Sequence, residues 1–213
     1  MRLRRKPWIA QALGEYRDIV LPGPEESLQG NWREIFERQA ALYVELGTGR
    51  GQFISELAAR HPEINFIGIE SQRDVLYNAA LKVRQRQLTN VRLLVFDINN
   101  ILSIFAAGEV DRLYINFCDP WPKVRHAKRR LTHTRFLEKY QTILINGGEL
   151  HFKTDNRLLF EYSLEQFALQ GLTTKKITFD LHGSGVSDNI MTEYEAKFSQ
   201  LGSKINRCEV IFK

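Results

Sequence analysis

The stretch Ala41-Leu42-Tyr43-Val44-Glu45-Leu46-Gly47-Thr48-Gly49-Arg50-Gly51 joins a short apolar run to three alternating glycines. An apolar run of this length predicts a buried strand, and the glycines predict a tight turn that leads into a helix. Glycines in this place let the backbone turn sharply and let a ligand approach closely. On glycine spacing alone, an ordinary strand-to-helix turn is the alternative.

Strand-like and helix-like stretches alternate after this turn. The predicted strands cover residues 41–46, 64–69, 91–95, 110–117, 148–153, 174–181 and 205–212. The predicted helices cover residues 52–60, 73–87, 98–107, 135–145 and 158–170. The alternation predicts an α/β fold with a doubly wound, mostly parallel sheet. The last two strands have no long helix between them, which predicts an antiparallel edge.

Composition and charge restrict the class of protein. The chain has 213 residues and a formal net charge of +5. No apolar run approaches the roughly 18 residues that span a bilayer, and the basic start lacks the long apolar stretch of a signal peptide. We therefore expect a soluble, cytoplasmic protein without a membrane partner. Cys118 and Cys208 stand in no metal-ligand spacing, so we expect two reduced thiols and no metal.

Basic residues are concentrated in two places. The first group is Arg2, Arg4, Arg5 and Lys6, within a predicted N-terminal extension of residues 1–30. The second group is Lys123, Arg125, Lys128, Arg129, Arg130 and Arg135. Clustered basic charge favours binding of a polyanion such as a nucleic acid. For the second group, a solvated helix face is the alternative.

Carboxylates follow the predicted strands on the ligand side of the sheet. Glu45 precedes the glycine turn, Glu70 ends the next strand and Asp97 follows the third. A carboxylate at Glu70 can accept hydrogen bonds from ribose hydroxyls. A dinucleotide would need donors for its pyrophosphate, whereas a carboxylate-rich site suits the cationic cofactor S-adenosylmethionine. Helix capping or a solvated strand end is the alternative for Glu70 and Asp97.

A stiff aromatic loop follows the fourth predicted strand. In Asn116-Phe117-Cys118-Asp119-Pro120-Trp121-Pro122-Lys123, two prolines restrict the backbone around Asp119 and Trp121. A rigid carboxylate beside a large ring can recognise a nucleobase by hydrogen bonding and stacking. A Pro-rich turn with a buried Trp is the alternative. Further along, Thr192-Glu193-Tyr194-Glu195 offers Tyr194 for stacking, with a simple surface helix as the alternative.

These motifs together resemble the bacterial tRNA (guanine-N(7)-)-methyltransferase family of the TrmB type, over nearly the whole chain. The motifs are Lys6-Pro7-Trp8, Glu45-Leu46-Gly47-Thr48-Gly49, Asp119-Pro120-Trp121-Pro122-Lys123, Arg125-His126, Lys128-Arg129-Arg130-Leu131, Lys153-Thr154-Asp155 and Thr192-x-Tyr194-Glu195. The Asp-Pro-Trp-Pro-Lys segment and its basic sequel are the specific part, since many methyltransferases share the glycine loop.

The resemblance implies one Rossmann-like class I S-adenosylmethionine-dependent methyltransferase domain over residues 31–213. It implies methyl transfer to nitrogen-7 of the variable-loop guanosine of tRNA, by a monomer or homodimer. The implied cofactor residues are Glu45, Gly47, Gly49, Glu70, Asp97 and Asp119, and Asp119 is also the implied catalytic residue. The implied substrate residues are Lys123, Asp155, Thr192, Glu193, Tyr194 and Glu195. We expect Arg125, Lys128, Arg129 and Arg130 to contact the tRNA backbone.

Three other functions stay open at this point. The first is methylation of another RNA or of an adenine amino group. The second is a nicotinamide-dependent oxidoreductase, which the glycine loop and Glu70 permit but which leaves the basic run unexplained. The third is a non-catalytic RNA-binding protein, which the full set of acidic residues disfavours.

Overall fold

The fold of residues 8–21 and 28–213 is described by a computed structural model. The chain divides into two units, the first ending at Ile104 and the second beginning at Phe105. Residues 1–7 and 22–27 lie outside the described residues, and so do all four basic residues of the first group. The described part of the predicted extension therefore begins at Trp8.

The first unit is a parallel α/β layer. In its described residues the helices are α1 (Trp8–Leu13), α2 (Trp32–Ile35), α3 (Gln52–Arg60) and α4 (Arg73–Gln85). Its strands are β1 (Val20–Leu21), β2 (Leu42–Leu46), β3 (Asn65–Glu70) and β4 (Val91–Val95). They run parallel in the order β1-β4-β3-β2. Val44, Ile67 and Leu93 are fully buried, as expected for parallel strands with both faces covered.

One predicted helix of this unit is wrong. Residues 98–107 were expected to be helical, but the chain forms only a 3₁₀ segment, Ile98–Ser103, in which Asn100 has non-helical dihedral angles. Asparagine competes with helical hydrogen bonding through its side chain, and two asparagines stand at positions 99 and 100. The sequence also left α1 and β1 unpredicted, although β1 pairs in parallel with β4.

The second unit has a mixed sheet. Its strands are β5 (Val110–Asn116), β6 (Leu144–Thr154), β7 (Thr173–Thr178) and β8 (Asn206–Ile211). Its helices are α5 (Thr134–Ile143), α6 (Arg157–Leu169) and α7 (Glu193–Gln200), and a 3₁₀ segment covers Val124–Arg129. β5 and β6 are parallel, whereas β8 lies antiparallel between β6 and β7. The predicted antiparallel edge is confirmed.

No helix within the described ranges combines the length and the apolarity needed to cross a membrane.

Candidate active site

The glycine turn after β2 combines a tightly packed position with an open one. Gly47, Gly49 and Gly51 have φ angles of 81°, 57° and 77°, in the left-handed region. A Cβ atom on Gly51 would lie 2.5 Å from the Cβ of Ala79 on α4, so glycine is required for close packing of α3 and α4. At Gly47 a Cβ would meet nothing within 4 Å, so a ligand can approach this part of the turn.

Glu45 lies buried below the turn, with 4% of its surface exposed. The Thr48 hydroxyl donates a hydrogen bond to Glu45 Oε2 at 2.6 Å. On the neighbouring strand, Gly68 pairs in register with Glu45, and a Cβ there would lie 3.1 Å from Thr48 Oγ1. The glycine thus leaves room for the Thr48 hydroxyl, which orients the carboxylate of Glu45.

Glu70 links the glycine turn to the start of α4. Its Oε2 accepts a hydrogen bond from the Gly49 backbone N–H at 3.3 Å. Its Oε1 accepts from the Gln72 backbone N–H at 3.0 Å and from the Ser71 hydroxyl at 3.2 Å. A carboxylate in this place is also favoured by the partial positive charge of the helix N-terminus. The half-buried side chain is therefore held by the backbone on both sides.

Asp97 is exposed and caps the 3₁₀ segment that follows β4. Its Oδ1 accepts hydrogen bonds from the Asn99 backbone N–H at 2.9 Å and from the Asn99 side-chain amide at 2.8 Å. The capping interpretation of Asp97 is confirmed, while its predicted contact with a cofactor stays a prediction. With Glu45 and Glu70, it places carboxylates at the carboxyl ends of three neighbouring strands of the first unit.

In the second unit, the loop after β5 has an unusual backbone. Phe117 and Trp121 have φ angles of 54° and 42°, a region that bulky residues rarely adopt. Arg130 secures this conformation, because its Nη2 donates to the Trp121 carbonyl at 3.1 Å and its Nε to the Pro120 carbonyl at 3.1 Å. The guanidinium also lies over the ring of Tyr162, with its carbon 4.2 Å from the centroid. The rigidity expected from the prolines thus has a second source.

The basic run after this loop is exposed to solvent. Lys123, Arg125, Lys128 and Arg129 are all exposed, and the Arg129 guanidinium lies 4.8 Å from the centroid of the Trp121 ring. Positive charge here is dense enough to act on His133, whose pKa is lowered by partial burial and by Arg135 and Lys128. The run is therefore a cationic surface beside Trp121. Its predicted contacts with tRNA, including those of Arg130, stay predictions.

Tyr194 brings the aromatic and acidic parts of the second unit together. Its ring stacks on Phe198 with 4.2 Å between centroids and contacts Phe117 at 5.1 Å. The side chain is 43% exposed. Partial burial raises the pKa of Tyr194, and the carboxylates of Asp155 and Asp119 raise it further. Three segments that are remote in the sequence thus converge on one exposed ring.

Glu195, expected to contact the substrate, is fully buried at the N-terminus of α7. Its backbone N–H donates to the Thr192 hydroxyl at 2.9 Å, and its carboxylate accepts from the Thr192 backbone N–H at 3.4 Å, which makes a capping box. The same carboxylate forms an ion pair of 2.8 Å with Lys153 Nζ. The Thr-x-x-Glu spacing is the sequence signal for such a box, whereas Lys153 as its buried partner was missed.

The described residues also include two thiols and one cluster of possible metal ligands. Cys118 and Cys208 are free thiols, and burial raises the pKa of each to about 12, which keeps them protonated. Glu149, His151 and Glu209 lie close enough to one another to bind a cation. Their carboxylates, however, already form ion pairs with Arg112, Lys176 and Arg207. We therefore assign a structural role to the cluster of Glu149, His151 and Glu209.

Comparison with known proteins identifies the family. A family model described as "Putative methyltransferase" matches residues 39–208. A tRNA (guanine-N(7)-)-methyltransferase of Halalkalibacterium halodurans is 50% identical over 213 residues, which cover 100% of this chain and 96% of the relative. The chain belongs to the tRNA (guanine-N(7)-)-methyltransferase family. The member from Bacillus subtilis is 49% identical over 210 residues, covering 99% and 98% of the two chains.

Solved structures confirm the predicted class I, Rossmann-like fold. A structure titled "Structure of an Antibiotic Related Methyltransferase" superimposes with a TM-score of 0.63. It covers 88% of this chain and 92% of its own, at 15% identity. At that identity the likeness concerns the fold alone, and the family assignment rests on the relatives that share half of the sequence.

Proposed function

We propose that this chain transfers the methyl group of S-adenosylmethionine to nitrogen-7 of the variable-loop guanosine of tRNA, in the cytoplasm. The observation that carries the proposal is the identity of 50% over the whole chain with a relative named tRNA (guanine-N(7)-)-methyltransferase. The specific motif Asp119-Pro120-Trp121-Pro122-Lys123 lies within the aligned residues.

The carboxylates and the open glycine turn of the first unit suit S-adenosylmethionine. The space above Gly47 allows a ligand to approach the turn. The oxygens of Glu70 and Asp97 suit ribose hydroxyls and an adenine amino group. Among the described residues, the hydrogen bonds to Glu70 come from backbone amides and a serine, and an ion pair with lysine or arginine is absent. The negative charge is therefore available to a cationic ligand, and Glu45, Gly49 and Glu70 would hold it.

When bound, S-adenosylmethionine supplies a methyl group activated by its sulfonium. Nitrogen-7 of guanine carries an in-plane lone pair and no proton, so the chain does not need a general base. Its residues accelerate the reaction mainly by aligning the base with the methyl carbon. Because the methylated ring becomes cationic, the carboxylate of Asp119 would orient the base and stabilise the developing positive charge.

The second unit supplies the surface for RNA. Trp121 and Tyr194 are the candidates to receive the guanine, which takes part in tertiary pairing and would leave its stack before reaction. Tyr194 is already supported by Phe117 and Phe198, so little ordering of the ring is required when the base arrives. Lys123 and Asp155 lie on the same unit as further substrate residues. The exposed cations would bind phosphates, which position the RNA without reading its sequence.

Methyl transfer to unmodified tRNA transcripts tests this proposal. The protein is incubated with labelled S-adenosylmethionine and the product is digested to nucleosides. We expect the label in 7-methylguanosine. Label in N6-methyladenosine would show that the chain methylates an adenine amino group and not guanine. Binding of S-adenosylmethionine without transfer to tRNA would refute tRNA as the substrate.

A further inference from the structure

The carboxylate of Glu195, the residue after Tyr194, and the ammonium of Lys153 form a buried ion pair. Lys153 is the penultimate residue of β6, and Glu195 lies in the first turn of α7. Their side chains are 6% and 0% exposed, and Nζ lies 2.8 Å from Oε2. Two charges removed from water are tolerated only when their remaining donors and acceptors are satisfied.

The surroundings of the pair meet this condition. Lys153 Nζ also donates to the Ile190 carbonyl at 2.8 Å and to Asn189 Oδ1 at 2.9 Å. The Asn189 amide nitrogen donates to Glu195 Oε1 at 2.6 Å, so this residue bridges both charges. His182 Nε2 lies 3.3 Å from the same oxygen. Every donor of the ammonium thus has a partner, and the start of α7 is tied to the carboxyl end of β6.

A predicted substrate residue lies near each member of the pair in the sequence. On β6, Lys153 is two residues before Asp155, and on α7, Glu195 directly follows Tyr194. The phenol of Tyr194 is close enough to the carboxylates of Asp155 and Asp119 for both to raise its pKa. A shift of α7 along β6 would therefore change the distance between the exposed ring and both acids.

We propose that Lys153, Asn189 and Glu195 are positioning residues that hold Tyr194 against Phe117 at the guanine site. The effect of these residues on methylation rests on the proposed function, whereas the placement of Tyr194 does not. Glu195 then affects the substrate through the placement of Tyr194, since its own carboxylate is buried. Lys153 gains a role that the motifs alone do not assign.

The position of Tyr194 can be measured without RNA. Tyrosines are replaced by 3-fluorotyrosine, and the ¹⁹F resonance of Tyr194 is assigned with Tyr194→Phe. We expect Glu195→Gln and Asn189→Ala to shift or broaden this resonance. Glu149→Gln is the matched control, because it makes the same chemical change at another paired carboxylate. Glu149 lies on β6 and forms an ion pair of 2.7 Å with Arg112. An unchanged Tyr194 resonance in folded Glu195→Gln or Asn189→Ala would overturn the proposal.

Kinetics then test the catalytic consequence with a double-mutant cycle. We expect Glu195→Gln to slow single-turnover methylation by about tenfold or more, while the Kd of S-adenosylmethionine changes by less than about twofold. In a Tyr194→Ala background the same change should cost less than about threefold, because its effect passes through the ring. Equal factors in the two backgrounds would refute action through Tyr194.

Asn189→Ala keeps both charges and replaces Glu195→Gln in the cycle if the latter loses its cooperative unfolding transition. A smaller factor, about threefold, is then expected, and only when Tyr194 is present. If the wild-type protein transfers no methyl group to tRNA, the proposed function fails. The ¹⁹F result still decides whether the ion pair positions Tyr194.

Discussion

The guanidinium of Arg130 holds the backbone of Trp121 in a left-handed conformation. Its Nη2 donates to the Trp121 carbonyl at 3.1 Å, while the φ angle of Trp121 is 42°. A left-handed tryptophan is disfavoured by contact between its Cβ and its own backbone, and such strain persists only where the surroundings stabilise it. The conformation of the loop that carries Asp119 therefore depends on a residue eleven positions further along.

Removing this support should damage both stability and catalysis. We expect Arg130→Ala to lower the free energy of unfolding by about 2 kcal/mol, because charge-assisted hydrogen bonds to two carbonyls are lost. Single-turnover methylation should slow by about tenfold or more, since the loop loses its alignment. Arg60→Ala is the control, because Arg60 is an arginine on α3 that forms only an exposed ion pair with Glu56, and its loss should leave both quantities nearly unchanged. Wild-type single-turnover kinetics in folded Arg130→Ala would contradict the account.

Asp119 should act through its charge. Asp119→Asn keeps the shape of the side chain but removes the negative charge that stabilises the cationic product ring. We expect the single-turnover rate to fall by about a hundredfold, comparable to removal of one electrostatic stabiliser. Asp180→Asn, which breaks an exposed ion pair with Lys204 in the same unit, should have little effect. A full rate in Asp119→Asn would refute the electrostatic role.

Glu70 should determine affinity for the cofactor. In the wild type, the two carboxylate oxygens of Glu70 accept hydrogen bonds from the Gly49 and Gln72 backbone amides. Glu70→Gln keeps one acceptor oxygen but loses the second acceptor and the negative charge. We expect the Kd of S-adenosylmethionine, measured by calorimetry, to rise about tenfold to a hundredfold, with the Kd of tRNA unchanged. Glu63→Gln, an exposed carboxylate before β3, serves as the comparison. A proportional loss of tRNA binding would show that Glu70 acts on the fold of the protein.

The exposed cations should govern the salt dependence of tRNA binding. Each of Lys128→Ala and Arg129→Ala should weaken tRNA binding and reduce the slope of log K against log salt by about 0.7 to 0.9, the value for one phosphate contact. Lys175→Ala, an exposed lysine on β7, should leave the slope unchanged. If the slopes of the wild type and the three variants were equal, the RNA would not contact Lys128 or Arg129.

The sequence predicted the regular part of the fold because its signals are local. Strands such as β2 and β4 are short apolar runs between polar turns, and the glycines at 47, 49 and 51 mark the turn that follows β2. The two-residue strand β1 is too short to have a periodicity, so its pairing with β4 could not be predicted from its own residues.

The candidate site was predicted by residue type and only partly by geometry. Asp119 and Trp121 were identified because they follow a predicted strand, and Tyr194 because it is an aromatic residue in a motif that the family shares. The roles of Arg130 and Lys153 depend on long-range contacts, since Arg130 stacks on Tyr162 and Lys153 reaches Glu195 across 42 positions. A sequence shows that a residue is charged but does not show whether its partner is a phosphate or the protein itself.

Mapping the methylated nucleotide tests the central claim most directly. The wild-type protein is incubated with S-adenosylmethionine and two transcripts of one tRNA, of which the second has adenosine in place of the variable-loop guanosine. The account predicts 7-methylguanosine at that single position of the first transcript and no incorporation into the second. Equal incorporation into both transcripts, or methylation of another atom or nucleotide, would contradict it.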